Sequence, residues 1–182
     1  MQVKLKGIVL SETSYSETSK ILNVLTDEYG LIGIISKGCK NLKNKLRGVS
    51  NKMCYGEYTI NYKEKGLSTL IEGSTINSFK NIYVDMKKAI YAFYLMDLTS
   101  QVLKENNNKE IFNLLVPALI KINDGLSPEL ISNIVEIDLL DYVIIHELCH
   151  FYEPNHSSRF WDHVSEYYPK YKEARKRLRV PV

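Results

Sequence analysis

The chain has 182 residues, of which 45% are hydrophobic and 25% charged, and its formal net charge is +3. These values are typical of a soluble globular protein, and no apolar run approaches the roughly 18 residues of a membrane-spanning helix. The apolar stretch near the N-terminus is too short for a secretory signal, and three separated cysteines without a CxxC pair argue against a disulfide framework. The composition therefore predicts a cytoplasmic protein without a membrane segment.

Five segments in the first 80 residues have the alternation or the β-branched composition of strands. Turn-forming residues separate them, and Gly30 can adopt the positive φ that a hairpin turn requires. Five short strands joined by turns favour a small closed barrel, for which the OB-fold is the natural candidate. The predicted strands are residues 4–10, 19–26, 31–36, 55–62 and 67–76.

From about Ile82 the apolar residues recur every three or four positions, which predicts amphipathic helices. Asn106 to Asn108 end the first helix, and a second runs to the turn at residues 123–125. Ser127 then has the character of an N-cap, followed by a proline in the first helical turn. The third helical segment continues to Pro154, either as one long helix or as two helices that meet near residue 140.

A cluster of cations follows the third predicted strand. Five Lys and Arg residues fall within eleven positions, and residues 1–80 hold 12 Lys and Arg against 7 Asp and Glu. A mobile cationic loop beside a barrel can follow a phosphate backbone and release its counterions, although such a cluster also suits a solvated turn. The candidate DNA-binding residues are Lys37, Lys40, Lys43, Lys45 and Arg47.

Five tyrosines in the same part of the chain are candidate platforms for base stacking. OB barrels commonly use aromatic side chains in this way. A place in the core or on an ordinary surface is the more common role for tyrosine. The five candidates are Tyr15, Tyr29, Tyr55, Tyr58 and Tyr62.

Two stretches of the sequence resemble a single family. KGIVL, the TDEYG turn, the basic segment from SKG to LRG and the INSFKNI junction follow one another in the family's order. They resemble the N-terminal OB-fold and first helices of RecO, the bacterial recombination mediator, over about residues 1–140. The resemblance implies binding and annealing of single- and double-stranded DNA. It also implies contacts with the single-strand binding protein and with RecR.

All four histidines of the chain lie between residues 146 and 163, and two of them form an HExxH pattern. On a helix His146 and His150 lie one above the other, so both imidazoles can bind one zinc ion. Glu147 is placed to take a proton from metal-bound water. Pro154 ends the helix, which allows His156 to return as a third ligand and leaves the fourth position for water. The alternative is a set of surface or core histidines without a metal.

The residues around this pattern, DYVIIHELCHFYEPNHSSRFWDHVSEYYPKYKEARKRL, resemble the end of the YgjP-like and SprT-like metallopeptidases. The resemblance covers about residues 140–179. It implies that His146, His150 and His156 bind Zn²⁺ and that Glu147 is the general base. His163 and Trp161 are interpreted as packing or surface residues.

The sequence as a whole predicts an α+β protein in three parts. Residues 1–80 form the OB-fold, residues 81–139 a helical region, and residues 140–182 a metallopeptidase segment with the zincin-type HExxH helix. Three functional interpretations follow. The chain is a DNA-binding repair protein with an appended zinc-binding segment, a zinc-dependent peptidase or hydrolase with a targeting module, or a non-catalytic fusion product.

Overall fold

A computed structural model describes residues 1–105, 109–153, 155 and 157–167 of the chain. Five strands occupy its first part, and helices follow them. Each strand agrees with a predicted segment, because alternating burial and turn residues are local signals that a sequence carries directly. The strands are β1 (Gln2–Ser14), β2 (Lys20–Thr26), β3 (Gly30–Ser36), β4 (Tyr55–Asn61) and β5 (Ser68–Asn77).

The five strands form one sheet that closes into a ring in the order β1-β2-β3-β5-β4. β1 pairs with both β2 and β4, and a short parallel ladder between β3 and β5 completes the ring. The predicted hairpin between β2 and β3 is confirmed, with Thr26 opposite Gly30 and a φ of 66° at Gly30. The closed five-stranded sheet is therefore as expected from the sequence.

β1 is longer than predicted because its polar second half is also a strand. Residues Gln2 to Ile8 pair with β4, and residues Gly7 to Ser14 pair with β2 across a bulge between Val9 and Ser11. The bulge bends β1, so that this one strand can pair with β4 along its first part and with β2 along its second. The residues after Leu10 belong to the ladder through their backbone, which a search for apolar alternation does not detect.

The first predicted helix is divided into two helices at Asp85, whose backbone is extended, and the other helices begin and end close to the predicted positions. The third predicted helical segment is a single helix that runs through residue 140, and Ser127 Oγ accepts a hydrogen bond from Leu130 N at its start. The predicted break at residues 106–108 lies outside the described residues. The helices are α1 (Lys80–Val84), α2 (Met86–Glu105), α3 (Phe112–Asn123), α4 (Pro128–His150) and α5 (Ser158–Tyr167), with short 3-10 helices at Lys45–Ser50 and Lys109–Ile111.

Two large hydrophobic cores hold the sheet and the helices together, apart from a small cluster at Cys149. The first fills the interior of the sheet and contains Leu22, Ile34 and Tyr58. The second joins the outside of the sheet to the helices, since Ile8 and Leu95 belong to the same buried cluster. Among the helices of the described residues, none has the length and apolar character needed to cross a membrane.

Candidate nucleic-acid interface and predicted zinc site

The predicted cationic loop is a series of hydrogen-bonded turns that ends in a 3-10 helix. Asn41 N donates to Gly38 O at 3.0 Å, and Asn44 N donates to Asn41 O at 3.0 Å. Asn44 then caps the 3-10 helix through its Oδ1, which accepts from Leu46 N at 2.8 Å. We call residues 37–50 the basic loop. The sequence predicted a mobile cationic loop, and the structure has hydrogen-bonded turns and a 3-10 helix in this segment.

Buried contacts fasten both ends of the basic loop to the sheet. The hydroxyls of Ser36 and Ser50 form a buried hydrogen bond of 2.8 Å that closes the base of the loop. Cys39 and Val49 are buried, and Leu46 packs against the interior core. The apolar residues of the loop thus hold it in place, while the cations between them project from the surface.

The five predicted DNA-binding residues are not equivalent. Lys37, Lys43, Lys45 and Arg47 are exposed, whereas Lys40 is half-buried. Within the described part of the chain none of the four exposed cations forms an ion pair. By contrast, Lys20 pairs with Glu12 at 2.9 Å. The exposed cations of the basic loop therefore keep their charge available to an anion.

Lys40 joins the basic loop to the turn between β1 and β2. Its Nζ donates to Ser16 O at 2.7 Å, and its backbone N donates to Thr18 O at 2.9 Å. Gly38 N adds a third bond, to Ser19 Oγ at 3.2 Å. We call residues 15–19 the hairpin tip. These three bonds fix the hairpin tip beside the basic loop.

Among the five candidate stacking tyrosines, the structure separates exposed from packed side chains. Tyr58 is fully buried, its hydroxyl donates to Val49 O and Cys54 O at 3.1 Å each, and burial raises its pKa above the ordinary value. Tyr29 and Tyr62 pack against each other, with ring centroids 4.3 Å apart. Tyr55 and Phe112 lie with ring centroids 6.1 Å apart.

Tyr15 differs from the other four candidates. It is 60% exposed and lies in the hairpin tip beside the basic loop. Of the five tyrosines it is the exposed one, and its hairpin tip is hydrogen-bonded to the basic loop. The other four tyrosines therefore have the core or packing role that is more common for this residue type.

The predicted zinc site falls on the end of α4 and the residues after it. Positions 146, 147 and 150 lie on the last turns of α4, but the side chains of His146, Glu147 and His150 and the whole of His156 lie outside the described residues. The side chains that are described contain no group of three His, Cys, Asp or Glu able to hold a metal ion. The predicted zinc ligands thus stay a prediction.

Two neighbours of the predicted zinc site are described. Cys149 is buried beside Ile145, and burial raises the pKa of its thiol. His163 on α5 is half-buried, with its ring centroid 5.9 Å from that of Tyr152 and its Nδ1 3.7 Å from Glu166 Oε2. His163 therefore takes part in a surface packing arrangement, in line with its interpretation from the sequence.

Comparison with known proteins gives matches to the first part of the chain. The family models Recombination protein O N terminal and Recombination protein O C terminal match residues 1–79 and 83–143. The DNA repair protein RecO of Caldicellulosiruptor bescii is 38% identical over 141 residues, which are 77% of this chain and 57% of the relative. That of Bacillus subtilis is 35% identical over 141 residues, 77% of this chain and 55% of the relative. The chain thus spans little more than half the length of these relatives.

A further family model, YgjP-like metallopeptidase domain, matches residues 126–180. It overlaps the Recombination protein O C terminal match over residues 126–143, which lie mostly on α4. The overlap places the two similarities on one continuous helix. Because most of these residues belong to a single helix, their apolar positions keep one helical period across the overlap.

Proposed function

Because residues 1–143 of this chain are related to the RecO family of DNA repair proteins, we propose that the chain binds DNA through the basic loop. The role that follows is that of a strand-binding and strand-annealing protein of recombinational repair, of the recombinase-mediator type. The strand order β1-β2-β3-β5-β4 supports assignment of the closed sheet to the OB-fold. Single- and double-stranded DNA are the proposed ligands, and the single-strand binding protein and RecR are proposed partners by resemblance.

The observation that carries this proposal is the set of exposed cations on a fixed loop, none of which forms an ion pair with a described residue. Hydrogen-bonded turns and buried side chains hold the backbone of these cations in place. The cations are Lys37, Lys43, Lys45 and Arg47. A cation that is neither buried nor paired can displace counterions from a phosphate backbone without breaking an ion pair of its own. Lys40 has a positioning role in this proposal, because its ammonium holds the hairpin tip.

The test is a variant in which Lys37, Lys43, Lys45 and Arg47 are changed to Gln. We expect weaker binding to a labelled oligonucleotide and a shallower dependence of log K on log salt, by about one unit for each phosphate that is no longer neutralised. Fluorescence anisotropy over a salt series measures both quantities. A control with Lys80, Lys88, Lys104 and Lys109 changed to Gln removes the same charge from the helical part. An equal decrease in affinity in both variants would show that only net charge matters and would contradict the proposal.

A zinc-dependent metallopeptidase-like segment is the second candidate function. The similarity of residues 126–180 supports it, and so does the continuity of α4, which puts positions 146 and 150 one helical turn apart. Two imidazoles with this spacing, followed by a third beyond the helix end, form a donor set that suits Zn²⁺. The ligands would be His146, His150 and His156, and Glu147 would hold the proton that a bound water loses.

Elemental analysis of the purified chain tests the zinc site. We expect about one zinc per chain in the parent and none in a variant with His146 and His156 changed to Ala. If zinc binds, chelator-sensitive proteolysis that is lost in Glu147→Gln would favour the enzyme over a binding site alone. Absence of zinc from the parent would instead favour the non-catalytic fusion product.

A further inference from the structure

The hairpin tip is held by hydrogen bonds and has no cation of its own. Tyr15 N donates to Ser19 O at 3.1 Å, and Ser19 N donates to Ser16 Oγ at 3.2 Å, so the turn is closed internally as well as bound to the basic loop. Its charged residue is Glu17, an exposed carboxylate. A tip with this charge does not attract phosphate, and any contribution it makes to a nucleic acid comes from another chemical feature.

That feature is the aromatic ring of Tyr15. The ring is 60% exposed on a backbone that hydrogen bonds fix beside the cations of the basic loop. A tyrosine side chain has only two torsions, so ordering it against a base costs little conformational entropy. Base–aromatic stacking accepts any base, since every base has a π-face.

The basic loop carries a second apolar group among its cations. Leu42 is 80% exposed between Lys40 and Lys43. The bases of a single strand can reach such groups, whereas the bases of a duplex are paired and stacked on one another.

From this arrangement we infer that Tyr15 is a stacking platform for an unpaired base, which gives this surface a preference for single-stranded over double-stranded DNA. The inference rests on the proposed function and deepens it, because the cations of the basic loop supply the contact with the backbone. Leu42 adds an apolar contact with a neighbouring base or sugar. Lys40 fixes the distance between the two parts of the site by holding the hairpin tip.

Binding of a labelled oligothymidine and of a duplex of the same length tests this inference. We expect Tyr15→Ala to weaken binding of the oligothymidine about fivefold or more, the lower end of what one base stack contributes. Duplex binding changes less than about twofold, and the salt dependence stays the same because no charge is removed. Tyr15→Phe retains the ring and should bind both ligands as the parent does.

Tyr94→Ala is the matched control, since Tyr94 is 46% exposed but lies on α2 in the helical part. If Tyr15→Ala binds oligothymidine as tightly as Tyr94→Ala does, or loses affinity for single strand and duplex equally, the inference is overturned. A loss of affinity in Tyr15→Phe as large as that in Tyr15→Ala would also overturn it. The basic-loop variant separates this failure from that of the proposed function: if that variant changes the salt dependence while Tyr15→Ala has no effect, only the stacking role is wrong.

Discussion

At the scale of single residues, the structure distinguishes side chains that are alike in the sequence. Lys37 and Lys40 are three positions apart in one basic segment, yet the ammonium of Lys40 donates to Ser16 O while Lys37 is exposed. Tyr15 and Tyr58 both belong to the candidate stacking residues, yet Tyr58 is fully buried. Side-chain burial and hydrogen-bond partners decide these roles, and both depend on residues that are far away along the chain.

Gly56 gives a residue-scale prediction about the closed sheet. A Cβ at this position would lie 2.5 Å from Ser74 O, a backbone atom of the paired strand β5 that cannot move without disturbing the β4–β5 ladder. We expect Gly56→Ala to lower the free energy of unfolding by about 1–3 kcal/mol, as overpacking usually does. Urea denaturation measures the change. Gly48→Ala is the control, because a Cβ there has no heavy atom within 4 Å; similar decreases in both variants would contradict the steric explanation.

At the scale of elements, an ion pair joins the first turns of α2 and α4. Lys87 on α2 pairs with Glu129 on α4, and Glu129 also accepts a hydrogen bond from Ser127 Oγ at 2.8 Å. The hydrogen bond from Lys87 is the largest cause that lowers the pKa of Glu129 to about 2 from 4.5. The start of α4 is thereby positioned against α2, with Ser127 as its N-cap.

This ion pair predicts a dependence of stability on pH. Because the pKa of Glu129 is lower in the folded state, its contribution is present above about pH 4.5 and is lost as the pH falls towards 2. We expect Glu129→Gln to lower Tm at pH 6, and the difference from the parent to disappear near pH 2. Thermal unfolding followed by circular dichroism at a series of pH values measures this. Lys87→Gln should show the same pH dependence, and a difference that persists at pH 2 would point to another cause.

At the scale of the whole molecule, the sheet and the helices share a core. Ile8 and Leu25 of the sheet lie in one buried cluster with Leu95 of α2 and Leu119 of α3. Phe79 joins the two parts: it is fully buried and has a φ of 50°, a conformation that a bulky side chain rarely adopts. The sheet that carries the basic loop is therefore supported on its outer side by the helices.

The sequence by itself determined most of the strands and helices and the residue types of the candidate sites. Short stretches of sequence are enough to predict the five strands, the turn at Gly30, the N-cap at Ser127 and the basic segment. Alternation, helical period and turn residues are local properties. The HExxH pattern is local in the same sense, so the zinc prediction stands on the sequence and on the similarity of residues 126–180.

Only the tertiary structure decided how the sheet closes and which of the described side chains are exposed. The parallel ladder between β3 and β5 and the bulge in β1 depend on pairing between distant strands. The bond from Lys40 to Ser16 O spans 24 residues, and the burial of Tyr58 depends on the packing of the whole sheet interior. Exposure is the result of all contacts together, and for that reason no short window of sequence could separate Tyr15 from the other four tyrosines.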